Sequence, residues 1–150
     1  KQGPLANPAD RDHCIQYMTA VPLIFGGLTA EHYENGAAAD PRIDALRQKM
    51  EVVENPQYTA DYLDPEKRSI ANAVQVFFAD GSATERVEIP YPIGHRRRRS
   101  YAAPLLRAKF KGAVSEIFSD QRAVGLVELF ADAGRLTTMS VSEFMGLWVQ

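Results

Sequence analysis

The apolar and polar positions divide the chain into a helical stretch, an alternating stretch and a second helical stretch. Asn7-Pro8 pairs a favoured cap residue with a favoured first helical residue, and Asp10 falls near the positive end of the helix dipole. The pattern predicts a helix over residues 8–25, ending at Gly26-Gly27. Its first half is polar and its second half apolar almost all round, which predicts burial of the C-terminal end. Pro22 lies inside it, removes one hydrogen bond and predicts a kink. A short helix over 29–35 with Thr29 as cap follows. Asp40-Pro41 then opens a helix to about Met50, with Ile43, Leu46 and Met50 on one side. Residues 51–54 read as a strand closed by Asn55-Pro56. Residues 57–68 read as a loop in which Asp64-Pro65-Glu66 makes a turn.

Residues 70–78 and 83–91 carry the β signal. The two runs flank Asp80-Gly81, and Val87 and Ile89 alternate with polar neighbours, which predicts a hairpin whose turn has two or more residues. Ile70, Val74, Val76 and Phe78 are expected to face covering helices. Beyond Pro90 and Pro92 the spacing is helical again, over about 102–118 (Leu105, Leu106, Phe110, Val114, Ile117, Phe118) and 119–131 (Val124, Leu126, Val127, Phe130). Ser140 and Glu143 form a capping box before Phe144, Leu147 and Trp148. Helices, hairpin, helices in that order argue for an α+β fold: a β-hairpin or small antiparallel sheet with helices packed on it, followed by C-terminal helices.

Composition narrows the function classes. Over 150 residues, 45% hydrophobic content is too high for a disordered chain, and no segment approaches the roughly 18 apolar residues of a membrane span. A net charge of −2 gives no global attraction to nucleic acid or anionic lipid. Cys14 is the single cysteine. It excludes an internal disulfide framework and cannot supply the three or four thiolates of an iron–sulfur cluster. The chain opens at Lys1 with no Met and no apolar leader, so the sequence predicts a start in mid-fold.

Several residues are candidates for chemistry. His13, Gln16 and Tyr17 share a face of the predicted helix, where an imidazole and a phenol one turn apart suit proton transfer to or from a hydroxy acid. The plainer alternative is a packed Tyr17 with a satisfied hydroxyl and a His13 that solvates the helix start. Arg96, Arg97, Arg98 and Arg99 carry +4 and leave −6 on the rest of the chain. Arginine forks grip carboxylate or phosphate, and the alternative is a solvated or salt-bridged loop. His95 follows Gly94 at the end of a strand-like segment, and one histidine without further spaced ligands makes no metal site. Cys14 reads as a small buried hydrophobe. No nucleophile-elbow, Walker, dinucleotide-binding or zinc-protease motif is present.

Asn-Pro-Ala-Asp-Arg-Asp-His-Cys-Ile-Gln-Tyr-Met at 7–18 strongly resembles members of the MmgE/PrpD family that act on 2-methylcitrate. The resemblance continues through Ala20-Val21-Pro22-Leu23, Arg42-Ile43-Asp44-Ala45-Leu46-Arg47, Tyr58-Thr59-Ala60-Asp61-Tyr62 and Asp64-Pro65-Glu66-Lys67-Arg68. Asp80-Gly81, Tyr91-Pro92-Ile93-Gly94-His95 and Lys109-Phe110-Lys111 extend it over essentially the whole chain. The resemblance implies that residues 1–100 form most of the smaller α+β domain of such an enzyme and 101–150 a C-terminal helical segment. By the same resemblance, the family's catalytic Asp, His and Lys residues are expected in an N-terminal all-helical domain that is absent from this chain. It implies a hydro-lyase that converts 2-methylcitrate to 2-methyl-cis-aconitate in the methylcitrate cycle of propionate breakdown. It further implies an enzyme that uses no iron–sulfur cluster or metal, a cytoplasmic homodimer with a small tricarboxylate substrate and without nucleic-acid or membrane partners. By this resemblance Tyr17 is the active-site tyrosine, a donor or proton-transfer group at the substrate. His13, Gln16, His95 and Arg96 are expected as binding or supporting residues. Other readings are a further member of the family, a cis-aconitate decarboxylase or iminodisuccinate epimerase, and a non-catalytic binding or oligomerisation module. By itself this chain is expected to be inactive.

Overall fold

Asn7 caps the first helix as its sequence requires. In a computed structural model that describes residues 3–149, its side-chain oxygen accepts from the Asp10 backbone N–H at 2.9 Å, with Pro8 as the first helical residue. The described residues fall into two compact units, one ending at Asn55 and the other beginning at Pro56.

In the first unit the single helix expected over 8–25 is two, α1 (Pro8–Asp12) and α2 (Ile15–Phe25). His13 closes α1, and Cys14 is extended (φ −118°, ψ 104°) at the start of α2. Arg11 and Cys14 are buried together with the stripe Gln16, Tyr17, Ala20 and Val21, while His13 is exposed. α2 runs through Pro22 and ends at Gly26 in the left-handed conformation (φ +80°), whose N–H bonds the Pro22 carbonyl. The expected burial of its C-terminal half is found on one side only, where Ala20 and Val21 are fully buried and Ile24 packs against them. Leu23 is 56% exposed and Phe25 41%, because the buried stripe passes between them. A 3₁₀ turn, Ala30–Tyr33, is capped by Thr29 with His32 completing a capping box, and α3 (Asn35–Ala38) follows. α4 (Pro41–Arg47), capped by Asp40, lays Ile43, Leu46 and Met50 against α2.

Residues 51–54 form no strand. Among the described residues they have no strand partner, and Val52 and Val53 stay exposed. In the second unit the expected loop over 57–68 is in part α5 (Pro56–Leu63), because Pro56 presets the first helical φ and Gln57 bonds Asp61 one turn on at 2.7 Å. The predicted turn at Asp64 is present, with the Lys67 and Arg68 N–H groups on its carbonyl. β1 (Asn72–Val74) and β2 (Val87–Ile89) pair antiparallel with Ala73 opposite Glu88, and a bridge joins Phe77 to Ala83. The Phe78 N–H bonds the Ser82 carbonyl and Gly81 takes φ +87°, so the turn has three residues with glycine in the left-handed position. Of Ile70, Val74, Val76 and Phe78, expected to face covering helices, Val76 is half-buried while Ile70, Val74 and Phe78 are between 42 and 53% exposed.

α6 (Arg99–Ser115), α7 (Asp120–Ala131), α8 (Ala133–Thr138) and α9 (Val141–Gly146) complete an α+β fold. The α8 helix escapes the apolar pattern and is set by Asp132, whose carboxylate accepts from the Arg135 N–H. The capping box at α9 is formed as expected, Glu143 N–H to Ser140 Oγ and Ser140 N–H to Glu143 Oε2. Val114, Ala123 and Leu126 make the core of these helices, surrounded by Phe110, Phe118, Val127, Leu147 and Trp148. No described helix is long and apolar enough to cross a membrane.

Candidate functional site

Tyr17 is placed by the α2 stripe in the first core, with 2% of its surface exposed. Its hydroxyl donates to the His32 carbonyl at 2.5 Å, and its ring stacks on Tyr33 at 6.1 Å and 26°. The 3₁₀ turn sets both contacts, since it carries His32 and Tyr33 side by side. Burial pushes the phenol above its ordinary value near 10.0, and the Arg11 charge opposes that rise in part. At neutral pH the group is therefore a protonated donor.

Two buried guanidiniums lie in the same core. Arg11, 5% exposed, donates to the Tyr33 carbonyl (2.5 Å), Asn35 Oδ1 (2.9 Å) and the Leu5 carbonyl (3.4 Å). Arg47 from α4 is 9% exposed and donates to Asp44 and to the Gly3 carbonyl. Both charges act on Tyr17, against the single carboxylate of Asp44 among its other neighbours. Neither arginine stands out in the sequence. Asp10-Arg11-Asp12 looks like the solvated start of a helix, and only the charge's place three residues before buried Cys14 hints otherwise.

His13, Gln16 and Tyr17 do not share one face. Gln16 is buried beside Tyr17 and accepts from Cys14 Sγ at 3.5 Å. The His13 side chain is 80% exposed and its Nδ1 meets Asp12 Oδ1 at 2.5 Å. The break between α1 and α2 separates them. Cys14 is 1% exposed, as a small core residue. His32 has a second role: its side chain helps line a cavity of about 280 Å³ with Phe25, Glu31, Gly36, Ala37 and Asp40. Two carboxylates in that lining make it unsuited to a polyanion, and Asp40 is already held by Arg42 at 2.6 Å.

In the second unit His95 caps a 3₁₀ turn, Arg96–Arg98, by accepting from the Arg97 N–H at 3.2 Å, and its ring packs on Tyr91. Arg96 reaches the Pro65 and Glu66 carbonyls at 3.4 and 3.3 Å, Arg97 the Glu66 carbonyl at 2.6 Å, and Arg98 the Tyr91 carbonyl at 2.9 Å. The run thus ties the 65–66 turn and Tyr91 to the start of α6 through backbone carbonyls. Among the described residues no group of three or more His, Cys, Asp or Glu is arranged to hold a metal ion.

The raised phenols carry a stability prediction. Burial raises Tyr33 as well, with Asp12 adding to the rise. The unfolded tyrosines then lose their protons first as pH increases, so the stabilisation is complete below about pH 10 and is lost as pH climbs through the raised values. Urea midpoints measured from about pH 8 to about pH 11 should fall at the alkaline end, and Tyr17→Phe should flatten part of that fall. An identical slope in the variant would show that Tyr17 does not contribute.

Comparison with known proteins completes the description. Residues 1–133 match the model of the MmgE/PrpD C-terminal domain. The chain is 52% identical over 149 residues to a 2-methylcitrate dehydratase of Escherichia coli (strain K12), covering 99% of this chain and 31% of that relative. It is 51% identical to a 2-methylcitrate dehydratase of Cupriavidus necator, covering 99% of this chain and 31% of the relative. A mitochondrial 2-methylcitrate dehydratase of Yarrowia lipolytica is 46% identical, covering 100% and 28%. The chain spans less than a third of the length of each of these relatives.

Proposed function

The chain belongs to the MmgE/PrpD family, matching its C-terminal domain, and from that premise we propose that it is the C-terminal part of a hydro-lyase that removes water from 2-methylcitrate. The 52% identity over 99% of the chain to relatives named for that activity carries the reading. In the reaction a base takes the proton α to a carboxylate, the C–O bond to the adjacent hydroxyl breaks as an acid protonates it, and an alkene and water result.

Tyr17 is the group we assign to the substrate from this chain. A protonated, buried phenol is suited to donate at the departing hydroxyl or a carboxylate oxygen, exchanging the His32 carbonyl for the substrate. Gln16, packed beside it, supports its placement. His95 and Arg96 remain assigned to binding a substrate carboxylate, and His13, exposed at the end of α1, to a peripheral supporting role. The same reading takes residues 1–100 as most of the smaller domain and residues 101–150 as a helical segment of a homodimeric, cluster-free enzyme. The compartment we assign is cytoplasmic in a bacterium; a relative from Yarrowia lipolytica is named mitochondrial, so the family does not fix it.

A chimera tests the function. This chain should replace the corresponding C-terminal part of the Escherichia coli relative, with product formation followed by ultraviolet absorbance of the new alkene. We expect turnover of 2-methylcitrate by the chimera and none by the 150-residue chain alone. A folded chimera that ignores 2-methylcitrate but decarboxylates cis-aconitate or epimerises iminodisuccinate would replace this reading by another within the family. Robust turnover by the chain alone would show that its catalytic set is complete.

A further inference from the structure

We infer that Arg11 is a positioning residue for Tyr17: its buried guanidinium pins the backbone at Tyr33 and the side chain of Asn35, and so fixes the His32 carbonyl and Tyr33 ring against which Tyr17 rests. The inference builds on the assignment of Tyr17 to the substrate.

Arg11 is 5% exposed, and among the described residues its three acceptors are neutral oxygens: the Tyr33 carbonyl, Asn35 Oδ1 and the Leu5 carbonyl. Its Nε has no hydrogen-bond partner among the described residues. A cation buried without a carboxylate is an expensive way to fill a core, and apolar residues of similar volume commonly serve stability as well or better. What the guanidinium supplies that an apolar side chain cannot is reach in two directions. One Nη engages the Tyr33 carbonyl while the other engages Asn35 and Leu5, a rigid fork that lysine's single ammonium does not reproduce.

The segment so held is the one Tyr17 depends on. Tyr17 donates to the carbonyl of His32, directly before Tyr33, and stacks on the Tyr33 ring. Fixing Tyr33 from one side by Arg11 and from the other by Tyr17 leaves the phenol one seat. A shift of about 1 Å at such a group is enough to cost about 10²-fold in rate.

The test is a mutant cycle in the chimera. Arg11→Lys keeps the charge and loses the fork, and Asn35→Ala removes one acceptor at an exposed position. Each is made alone and together with Tyr17→Phe. Arg11→Lys should lower kcat about tenfold or more with KM little changed, and Asn35→Ala should lower it by a smaller factor. In the Tyr17→Phe background neither should lower kcat further, because the group they position is gone. Equal losses in both backgrounds would overturn the inference and leave Tyr17's own role standing. An unchanged kcat for Tyr17→Phe alone would remove that role and the inference with it. Should Arg11→Lys fail to fold by circular dichroism, Asn35→Ala carries the same comparison.

Discussion

Tyr17→Phe in the chimera is expected to lower kcat by about 10²–10³-fold while KM stays within a few-fold. The substitution deletes one oxygen and leaves the ring stacked on Tyr33. Because burial raises the phenol's pKa, the hydroxyl is protonated throughout the neutral range, and the loss is that of a donor. The structural cost is separate and smaller. The His32 carbonyl loses its donor, a loss of about 1–3 kcal/mol if no water replaces it. Circular dichroism and a urea midpoint measured on the same protein separate the two effects. A variant that turns over at the parental rate would take Tyr17 out of the site and leave it as a packed tyrosine with a satisfied hydroxyl, the arrangement its contacts within this chain already display.

Local chemistry made some elements legible in advance and tertiary packing hid others. Asn7-Pro8, Asp80-Gly81 and the Ser140–Glu143 box each act through their own backbone within a few residues, and each does what its sequence predicts. The break at His13-Cys14 has no such local sign. It shows only in the fold, where His13 closes α1 and Cys14 is extended at the start of α2. Residues 51–54 look like a strand from their valines, but strand identity requires pairing with another strand, and these residues belong to none. Asn55-Pro56 reads as the close of a strand, whereas proline at a first helical position starts a helix.

The site followed the same division. Tyr17 stood out through its surrounding sequence block, and the structure adds its carbonyl partner and its stacked neighbour. Arg11 lay inside that block and was unremarked, since a charge near a helix start is usually solvated. Only its burial and its reach across more than twenty residues to Tyr33 and Asn35 give it significance. The arginine run at 96–99 gives no sign in its sequence of the backbone carbonyls at 65, 66 and 91 that Arg96, Arg97 and Arg98 reach; only the fold brings those together.

Leu126→Ala should be the most damaging single truncation in the helical unit, at about 2–5 kcal/mol. Leu126 is 3% exposed on α7 and sits with Val114 and Ala123 at the centre of a core rimmed by Phe110, Phe118 and Trp148. The rim is held by ring contacts, Phe110 to Phe130 at 5.0 Å and Phe130 to Trp148 at 6.1 Å, that fix the ring positions. Rings so constrained cannot collapse into the space a leucine leaves, so the cavity cost adds to the lost transfer energy. Leu106→Ala is the control, because Leu106 on α6 is 56% exposed and its truncation should cost no more than about 0.5 kcal/mol. Trp148 is the only tryptophan in the chain and lies on the rim of this core, so its fluorescence in a urea titration reads this unit directly. A midpoint for Leu126→Ala no lower than that for Leu106→Ala would mean that the core of α6, α7 and α9 is not what holds the unit together.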